Sequence, residues 1–226
     1  MNRCASALCS LSACCASTLA QSGTATWQVS ADDGTTWTSD LTLQAPQTLR
    51  VRLVMGWSFV PDALGFGGSQ FDGVIQGARS GDAVSNIARP SPFNFAAQTL
   101  VATEYADGLK IDTAADTSAP GAGSGWVNPG QGQATIITSF NSSNPAVVFT
   151  YTLAVSDEVG TRTIYNIFNN LATGRAMSVY TSNAGAQVRM NAGVVEITAA
   201  EVRVIPAPAS VLAVLMSGAF KHRRRG

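Results

Sequence analysis

The most regular stretch of the sequence is Val147-Val148-Phe149-Thr150-Tyr151-Thr152-Leu153-Ala154-Val155. Phe149, Tyr151, Leu153 and Val155 occupy every second position, and successive side chains of a β-strand point to opposite faces of a sheet. The spacing therefore predicts a strand with one apolar face. Because the run is long and largely apolar, it is typical of a central strand.

Shorter runs with the same two-residue period occur on both sides of this stretch, separated by turn residues. Leu49, Val51, Leu53 and Met55 alternate with two arginines, which predicts a half-buried strand. Further strands are predicted at 162–168, with Ile164 and Phe168 as core candidates, at 177–181, at 186–190 and at 194–205, the last as an outer strand. Ser182-Asn183-Ala184-Gly185 is a suitable hairpin turn between two of these runs because Asn and Gly tolerate positive φ.

No window of about a dozen residues keeps a helical period without Gly or Pro. The expected fold is therefore all-β, an antiparallel β-sandwich of jelly-roll type over residues 21–205, with Trp27 and Trp57 in its core. Two stretches, 61–97 and 113–132, are rich in Gly, Ser, Asp and Pro and are expected to be long loops, either functional or disordered.

One short motif lies near the start of this domain. Ser30-Ala31-Asp32-Asp33-Gly34-Thr35-Thr36-Trp37 fits the pattern Ser-x-Asp-x-Gly-x-Thr-Trp and so resembles the Asp-box of sialidases and other β-propellers. We interpret it as a structural hairpin, in which Asp32 and Thr36 bond the turn, Gly34 supplies the unusual dihedral angle and Trp37 packs beneath. The chain has a single copy, whereas propellers carry one per blade, and it is too short for the six blades of a sialidase. A calcium site at Asp32 and Asp33 is the alternative.

The distribution of cysteine and histidine excludes much chemistry. Cys4, Cys9, Cys14 and Cys15 lie in the first 20 residues, and the single histidine, His222, lies in the tail. The remaining body contains no thiol or imidazole for a Ser-His or Cys-His nucleophile or for a zinc site. Carboxylate chemistry, oxygen-ligated calcium and binding without catalysis remain. No arrangement of residues in the sequence indicates a site of the first two kinds, and we expect no catalytic residue, no metal site and no cofactor.

Charge argues against nucleic acid as a partner. Residues 21–205 contain nine basic and fourteen acidic side chains, a net charge of −5, although the whole chain is formally neutral. A nucleic-acid-binding domain would instead show a basic face.

Both ends of the chain resemble export signals. Residues 1–20 begin Met1-Asn2-Arg3, continue without charge and reach a small residue at Ala20, as a secretory signal peptide does. Residues 206–226 combine Pro206-Ala207-Pro208, an apolar run and the basic cluster Lys221, Arg223, Arg224 and Arg225. The cluster is typical of a membrane segment that stops with its basic end in the cytoplasm.

The tail resembles the PEP-CTERM sorting signal of exported bacterial proteins, with Pro206-Ala207-Pro208 in place of Pro-Glu-Pro. The resemblance covers only these residues. It implies processing by a membrane-embedded exosortase, transient membrane contact through the tail, and a final location in the cell envelope or outside the cell. A disordered basic tail and an uncleaved tail anchor are the alternatives.

Exposed aromatic residues are the candidates for ligand contact, because a sugar ring stacks on an indole or phenol. Trp126, in Gly121-Ala122-Gly123-Ser124-Gly125-Trp126, is the first candidate, and Tyr105, beside Glu104, is the second. Trp126 is alternatively a loop aromatic that plugs the sandwich.

Three functions follow, in order. The first is a structural protein of the cell surface or extracellular matrix, sorted through its tail. The second is a carbohydrate-binding module for extracellular polysaccharide. The third is a carboxylate-based glycoside hydrolase, for which the only glutamates are Glu104, Glu158, Glu196 and Glu201 and no pair is evident.

The tail generates the first testable prediction. Replacing Lys221, Arg223, Arg224 and Arg225 with Gln should release a larger, unprocessed protein into the medium, because these charges resist crossing the membrane and hold the segment for processing. Mass spectrometry of envelope and medium fractions from the native host measures this. Equal distribution of an uncut protein with and without the basic cluster would contradict the sorting signal.

Overall fold

The computed structural model describes residues 20–69, 71–88, 90, 100–113, 142–168, 176–182 and 186–207. These residues form fourteen strands and one short 3-10 turn, Ala192–Val194. The strands are β1 Ser22–Ser30, β2 Asp40–Leu43, β3 Gln47–Ser58, β4 Gly65–Ser69, β5 Phe71–Gln76, β6 Ala83–Ala88, β7 Leu100–Tyr105, β8 Gly108–Thr113, β9 Ala146–Val155, β10 Gly160–Phe168, β11 Met177–Tyr180, β12 Gln187–Met190, β13 Val195–Thr198 and β14 Ala200–Val204. The described part of the chain contains no α-helix, and the expectation of an all-β protein is confirmed.

The strands form two large sheets and a small one. The first sheet has the order β13-β1-β3-β9-β6, and the second has the order β2-β14-β10-β5-β8-β7. β9 pairs with β3 on one side and β6 on the other, so the strand predicted as central is central. The small sheet has the order β12-β11-β4, and its Met177 and Met190 lie against Gly23 of β1.

The two large sheets face each other as a sandwich, as predicted, and Trp27 lies between them. This side chain of β1 is fully buried and makes edge-on contacts with Phe71 of β5 and Phe149 of β9, both at 6.3 Å between ring centroids. Its Nε1 donates a hydrogen bond of 3.0 Å to Oδ1 of Asn166 in β10. The indole thus contributes apolar burial and aromatic contacts within the core and a polar bond across it. Trp57 is also buried, as expected.

Two sheet edges are parallel rather than antiparallel. β1 pairs in parallel with β13, and β14 pairs in parallel with β2. The predicted single outer strand at 194–205 is therefore corrected: β13 is an edge strand of the first sheet, whereas β14 lies inside the second sheet between β2 and β10. Val195 is the buried residue of β13, whereas Ala200, Val202 and Val204 are buried in β14, so the buried positions change from an odd to even numbers between the two strands.

The stretch 61–97, expected to be a loop, contains three strands. β4 is glycine-rich and buried throughout, and β5 is buried from Phe71 to Ile75. A strand covered on both faces needs no polar alternation, so the two-residue period that identified the other strands is absent here. β6 follows as an edge strand. Residues 114–132 of the second predicted loop lie outside the described residues.

The predicted hairpin at 177–190 is confirmed, since β11 and β12 pair antiparallel from Met177 opposite Met190 to Tyr180 opposite Gln187. The backbone N–H of Thr181 donates to the carbonyl of Ala186 at 2.9 Å and closes the loop end. Three of its turn residues, 183–185, lie outside the described residues.

A buried ion pair joins the two sheets at one end. Arg162 Nε lies 2.9 Å from Asp82 Oδ2, and both side chains are completely buried. The guanidinium also donates to Asp82 Oδ1, the Ser156 hydroxyl and the carbonyls of Glu158 and Gly160, so all five of its N–H groups have acceptors. Burial opposes ionisation of Asp82, but the bonds from Arg162, Ser156 and the Arg79 backbone keep its pKa below the ordinary value.

Replacing Arg162 with Met should lower the free energy of unfolding by about 3–5 kcal/mol, because it leaves Asp82 buried without its counter-charge. Adding Asp82→Asn should recover part of the loss. Urea denaturation of the full chain measures both. The control is Arg203→Gln at an arginine that is about half exposed; if Arg162→Met is no more destabilising than this control, the pair does not hold the fold.

Candidate functional site

The outer face of the second sheet collects side chains from four strands. β10 turns Ile164 and Asn166 inward, so Tyr165 between them points outward. The register places Tyr165 beside Val74 of β5, Val74 beside Lys110 of β8, and Lys110 beside Thr103 of β7. A row of neighbouring side chains thus crosses the sheet from β10 to its edge at β7, and Val74 within this row is buried.

Tyr105, one of the two predicted ligand-contact residues, lies at the end of β7 on this face. Its side chain is 39% exposed. Lys110 Nζ lies 5.7 Å from the centroid of the Tyr105 ring and 3.5 Å from Asp72 Oδ2. The ammonium group therefore links the phenol ring by a cation-π contact to a carboxylate of β5.

Tyr165 is the second tyrosine of the face. Partial burial raises the pKa of its hydroxyl, and Tyr105 and Asp107 raise it further because they oppose a second negative charge. The phenol thus stays neutral and can donate a hydrogen bond at physiological pH. We call the surface formed by Thr103, Tyr105, Lys110, Thr163 and Tyr165 the tyrosine face.

Sequence reasoning identified Tyr105 but missed Tyr165. The signal was available, because Tyr165 alternates with Ile164 in the predicted strand at 162–168 and so falls on its outer side. Trp126, the other predicted ligand residue, lies outside the described residues, and its role stays a prediction. The same holds for Pro208, Lys221, Arg223, Arg224 and Arg225, whereas Pro206 is described and lies exposed after β14.

A polar cleft of about 530 Å³ lies at one end of the sandwich, beside the turn between β7 and β8. Glu104, Asp107, Asp82 and Arg79 all line it. Asp82 is ionised against Arg162, and Asp107 accepts a hydrogen bond of 3.1 Å from the side chain of Gln76. The bonds that hold Asp82 ionised make it unsuitable as a general acid, so the cleft gives the hydrolase hypothesis no support at that residue.

The turn between β7 and β8 at this cleft requires glycine. A Cβ atom at Gly108 would collide with the carbonyl oxygen of Ile75 in the neighbouring strand. Asp107 and Gly108 thus belong to the turn, where the carbonyl of Asp107 also accepts a hydrogen bond of 2.8 Å from the backbone N–H of Gly77.

The motif at 30–37 folds as the predicted hairpin. Asp32 accepts hydrogen bonds from the Ser30 hydroxyl at 2.6 Å, from the Thr36 backbone at 2.9 Å and from the Thr36 hydroxyl at 2.7 Å. Gly34 has φ +92°, and Trp37 Nε1 donates to its carbonyl at 2.9 Å. A backbone bridge between Val29 and Thr38 closes the loop.

The calcium alternative at this hairpin finds no support. The bonds to Asp32 occupy its oxygens with donors from the same turn, and Asp33 Oδ1 pairs with Arg50 Nε at 2.7 Å. The described residues contain no group of three His, Cys, Asp or Glu side chains that could hold a metal ion.

Across the ranges that the structure describes, no helix is both long and apolar enough to span a membrane.

The chain is similar in fold to solved cohesin modules at low identity. It is 12% identical to the seventh ScaB type I cohesin from Pseudobacteroides cellulosolvens, with a TM-score of 0.46 over 83% of this chain and 96% of that chain. A non-cellulosomal cohesin from Archaeoglobus fulgidus is 9% identical, with a TM-score of 0.38 over 90% of this chain and 99% of that chain. No protein-family model and no curated protein matches the sequence. The likeness extends to the sandwich fold alone.

The hairpin generates a pH prediction. Hydrogen bonds from Ser30 and Thr36 lower the pKa of Asp32 from 3.8 to about 2. The folded value lies below the unfolded one, so the stability that Asp32 contributes is complete above about pH 4 and is lost as pH falls through 2. Asp32→Asn should therefore lower the thermal midpoint at pH 7, and the difference from wild type should shrink below pH 4.

Thermal unfolding of the full chain between pH 2 and pH 7 measures this difference. Glu196→Gln, at an exposed glutamate of β13, is the control. A difference between wild type and Asp32→Asn that is constant with pH would contradict the role assigned to the carboxylate.

Proposed function

We propose that this chain is an exported, non-catalytic structural protein of the cell surface or extracellular matrix, and that it acts by binding through the tyrosine face. The observation that supports this proposal is the placement of Tyr105 and Tyr165 on one outward sheet face, with Lys110 in contact with Tyr105. Export and sorting rest on the leader and the tail as sequence predictions, with an exosortase-like enzyme as the processing partner.

The chemistry of the tyrosine face suits recognition. A phenol ring offers an apolar surface and a hydroxyl on one rigid group, which is why tyrosine is enriched in binding surfaces. Thr103, Thr163 and Lys110 add hydroxyl and ammonium groups beside the rings. Because the surface is a sheet face, it suits a partner with a large contact area better than a small molecule, which binds in a concave pocket.

A second candidate function is polysaccharide binding, and the exposed ring of Tyr105 favours it. Sugar rings of an extended chain stack on exposed aromatic side chains, and each stacking contact contributes about 1 kcal/mol. Tyr105 and the predicted Trp126 are the residues that this function would use.

The test compares retention of full-length variants in the envelope fraction of the native host. Tyr105→Ala and Tyr165→Ala should each weaken retention severalfold, because a loss of about 1 kcal/mol changes affinity about fivefold. The thermal midpoint of Tyr105→Ala should stay nearly unchanged, since this side chain is 39% exposed. Phe59→Ala is the matched control, since Phe59 is an aromatic residue that is 53% exposed and lies in the loop after β3.

Two treatments of the envelope identify the partner. Protease digestion should abolish retention if the partner is a protein, and periodate oxidation should abolish it if the partner is a polysaccharide. If both tyrosine variants are retained as strongly as wild type, or if Phe59→Ala is equally defective, the tyrosine face is not the binding surface.

A further inference from the structure

We infer a second binding site on the opposite side of the molecule, specific for an acidic sugar residue such as a hexuronate. The site is a cleft on the outer face of the first sheet, between the hairpin at 30–37 and β6. We call it the hairpin cleft. It is separate from the tyrosine face, and the proposed function does not require it.

The hairpin cleft has a defined shape. Its volume is about 310 Å³, near the lower end of the roughly 300–1,000 Å³ found for small-molecule sites, so it suits a single ring. It is lined by Asp33, Gly34, Trp37, Arg50, Asn86 and Thr150, together with Val51 and Tyr151. The side chains of Val51 and Tyr151 point into the sandwich core, so these strands contribute a floor beneath the outward side chains.

The aromatic wall of the cleft is held rigidly. Trp37 is fixed by its Nε1 bond to Gly34, and the guanidinium carbon of Arg52 lies 4.0 Å from the centroid of its ring. Arg52 is fixed in turn by a bond of 2.7 Å from its Nε to Gln28 Oε1. A ring held before the ligand arrives loses little conformational entropy on binding, which favours stacking of a sugar on the indole face opposite Arg52.

Arg50 is the group of the cleft that can recognise an anion. It is the cation among the lining residues, Asp33 is the carboxylate among them, and Arg52 lies beside the cleft on the ring of Trp37. A guanidinium fork matches the geometry of a carboxylate and binds it with two hydrogen bonds.

Arg50 can exchange its partner Asp33 for the carboxylate of a ligand. The side chain of Arg50 is 53% exposed, and that of Asp33, its ion-pair partner, is 80% exposed. An exposed pair of this kind contributes only about 0–1 kcal/mol, so a ligand carboxylate can replace Asp33 at little cost.

Polar groups for sugar hydroxyls line the same cleft. Thr150 offers a hydroxyl, and Asn86 offers an amide that is oriented by a bond of 3.3 Å from its Nδ2 to Thr152 Oγ1. Asn86 has φ +51°, a left-handed conformation that asparagine tolerates better than most residues, and it lies where the pairing of β6 with β9 is irregular. An indole, a guanidinium, an amide and a hydroxyl around one ring-sized space together match a pyranose that carries a carboxylate.

The test is calorimetric titration of the full-length chain with oligogalacturonate and with a cello-oligosaccharide of the same length. We expect binding of the acidic oligosaccharide and at least about tenfold weaker binding of the neutral one. Arg50→Gln should weaken binding of the acidic ligand about tenfold. Asp33→Asn should strengthen it severalfold, because it removes the carboxylate that competes for Arg50, and Asn is suited to the φ of +57° at this position.

Arg203→Gln is the control for charge, because it removes an exposed arginine of β14 in the opposite sheet and should leave binding unchanged. Tyr105→Ala should also leave it unchanged, which separates this site from the tyrosine face. Absence of binding to the acidic ligand, equal affinity for the two ligands, or an Asp33→Asn variant that binds more weakly would each overturn the inference.

Discussion

The buried pair between Arg162 and Asp82 determines how the chain passes between the two sheets. The chain crosses from the second sheet to the first between β5 and β6, where Asp82 lies, and returns between β9 and β10, where Ser156 and Glu158 lie. Arg162 bonds to both crossings. One side chain therefore joins the two crossings that precede β6 and β10, and these strands carry Asn86 of the hairpin cleft and Tyr165 of the tyrosine face.

This pair fixes the positions of the two crossings more than it adds to the net free energy of folding. Removing two charges from water costs several kcal/mol per ion, and their attraction in the core offsets this cost only when every donor and acceptor is satisfied. Here all five guanidinium N–H groups find acceptors. The bulk of the favourable free energy comes instead from apolar burial around Trp27 and Phe149, which is not directional. The polar pair fixes one arrangement of the crossings among those that the apolar core would tolerate.

Local periodicity predicted the elements that face the core on one side only. β3 and β9 were found in this way, and the hairpin at 30–37 was found because its bonds join residues at most four apart. β4 and β5 were missed because burial on both faces removes the alternation. The break of the C-terminal run at Ala199 was visible as a change of parity between Val195 and Val202. The ion pair between Arg162 and Asp82 could not be predicted in this way, because its residues are 80 positions apart in the sequence. The same holds for the row that joins Tyr165 to Lys110, because its residues lie on different strands.

The two candidate surfaces lie on the outer faces of opposite sheets, and this arrangement bears on a structural role. Packed sheets are separated by about 10 Å, so ligands on the two outer faces cannot touch and do not compete. A module that holds an acidic sugar on one face and a broad partner on the other joins the two without a conformational change, because rigid strands carry both sites. The link would have the stiffness of the sandwich itself, and its strength would depend on the interactions that keep the two sheets in register.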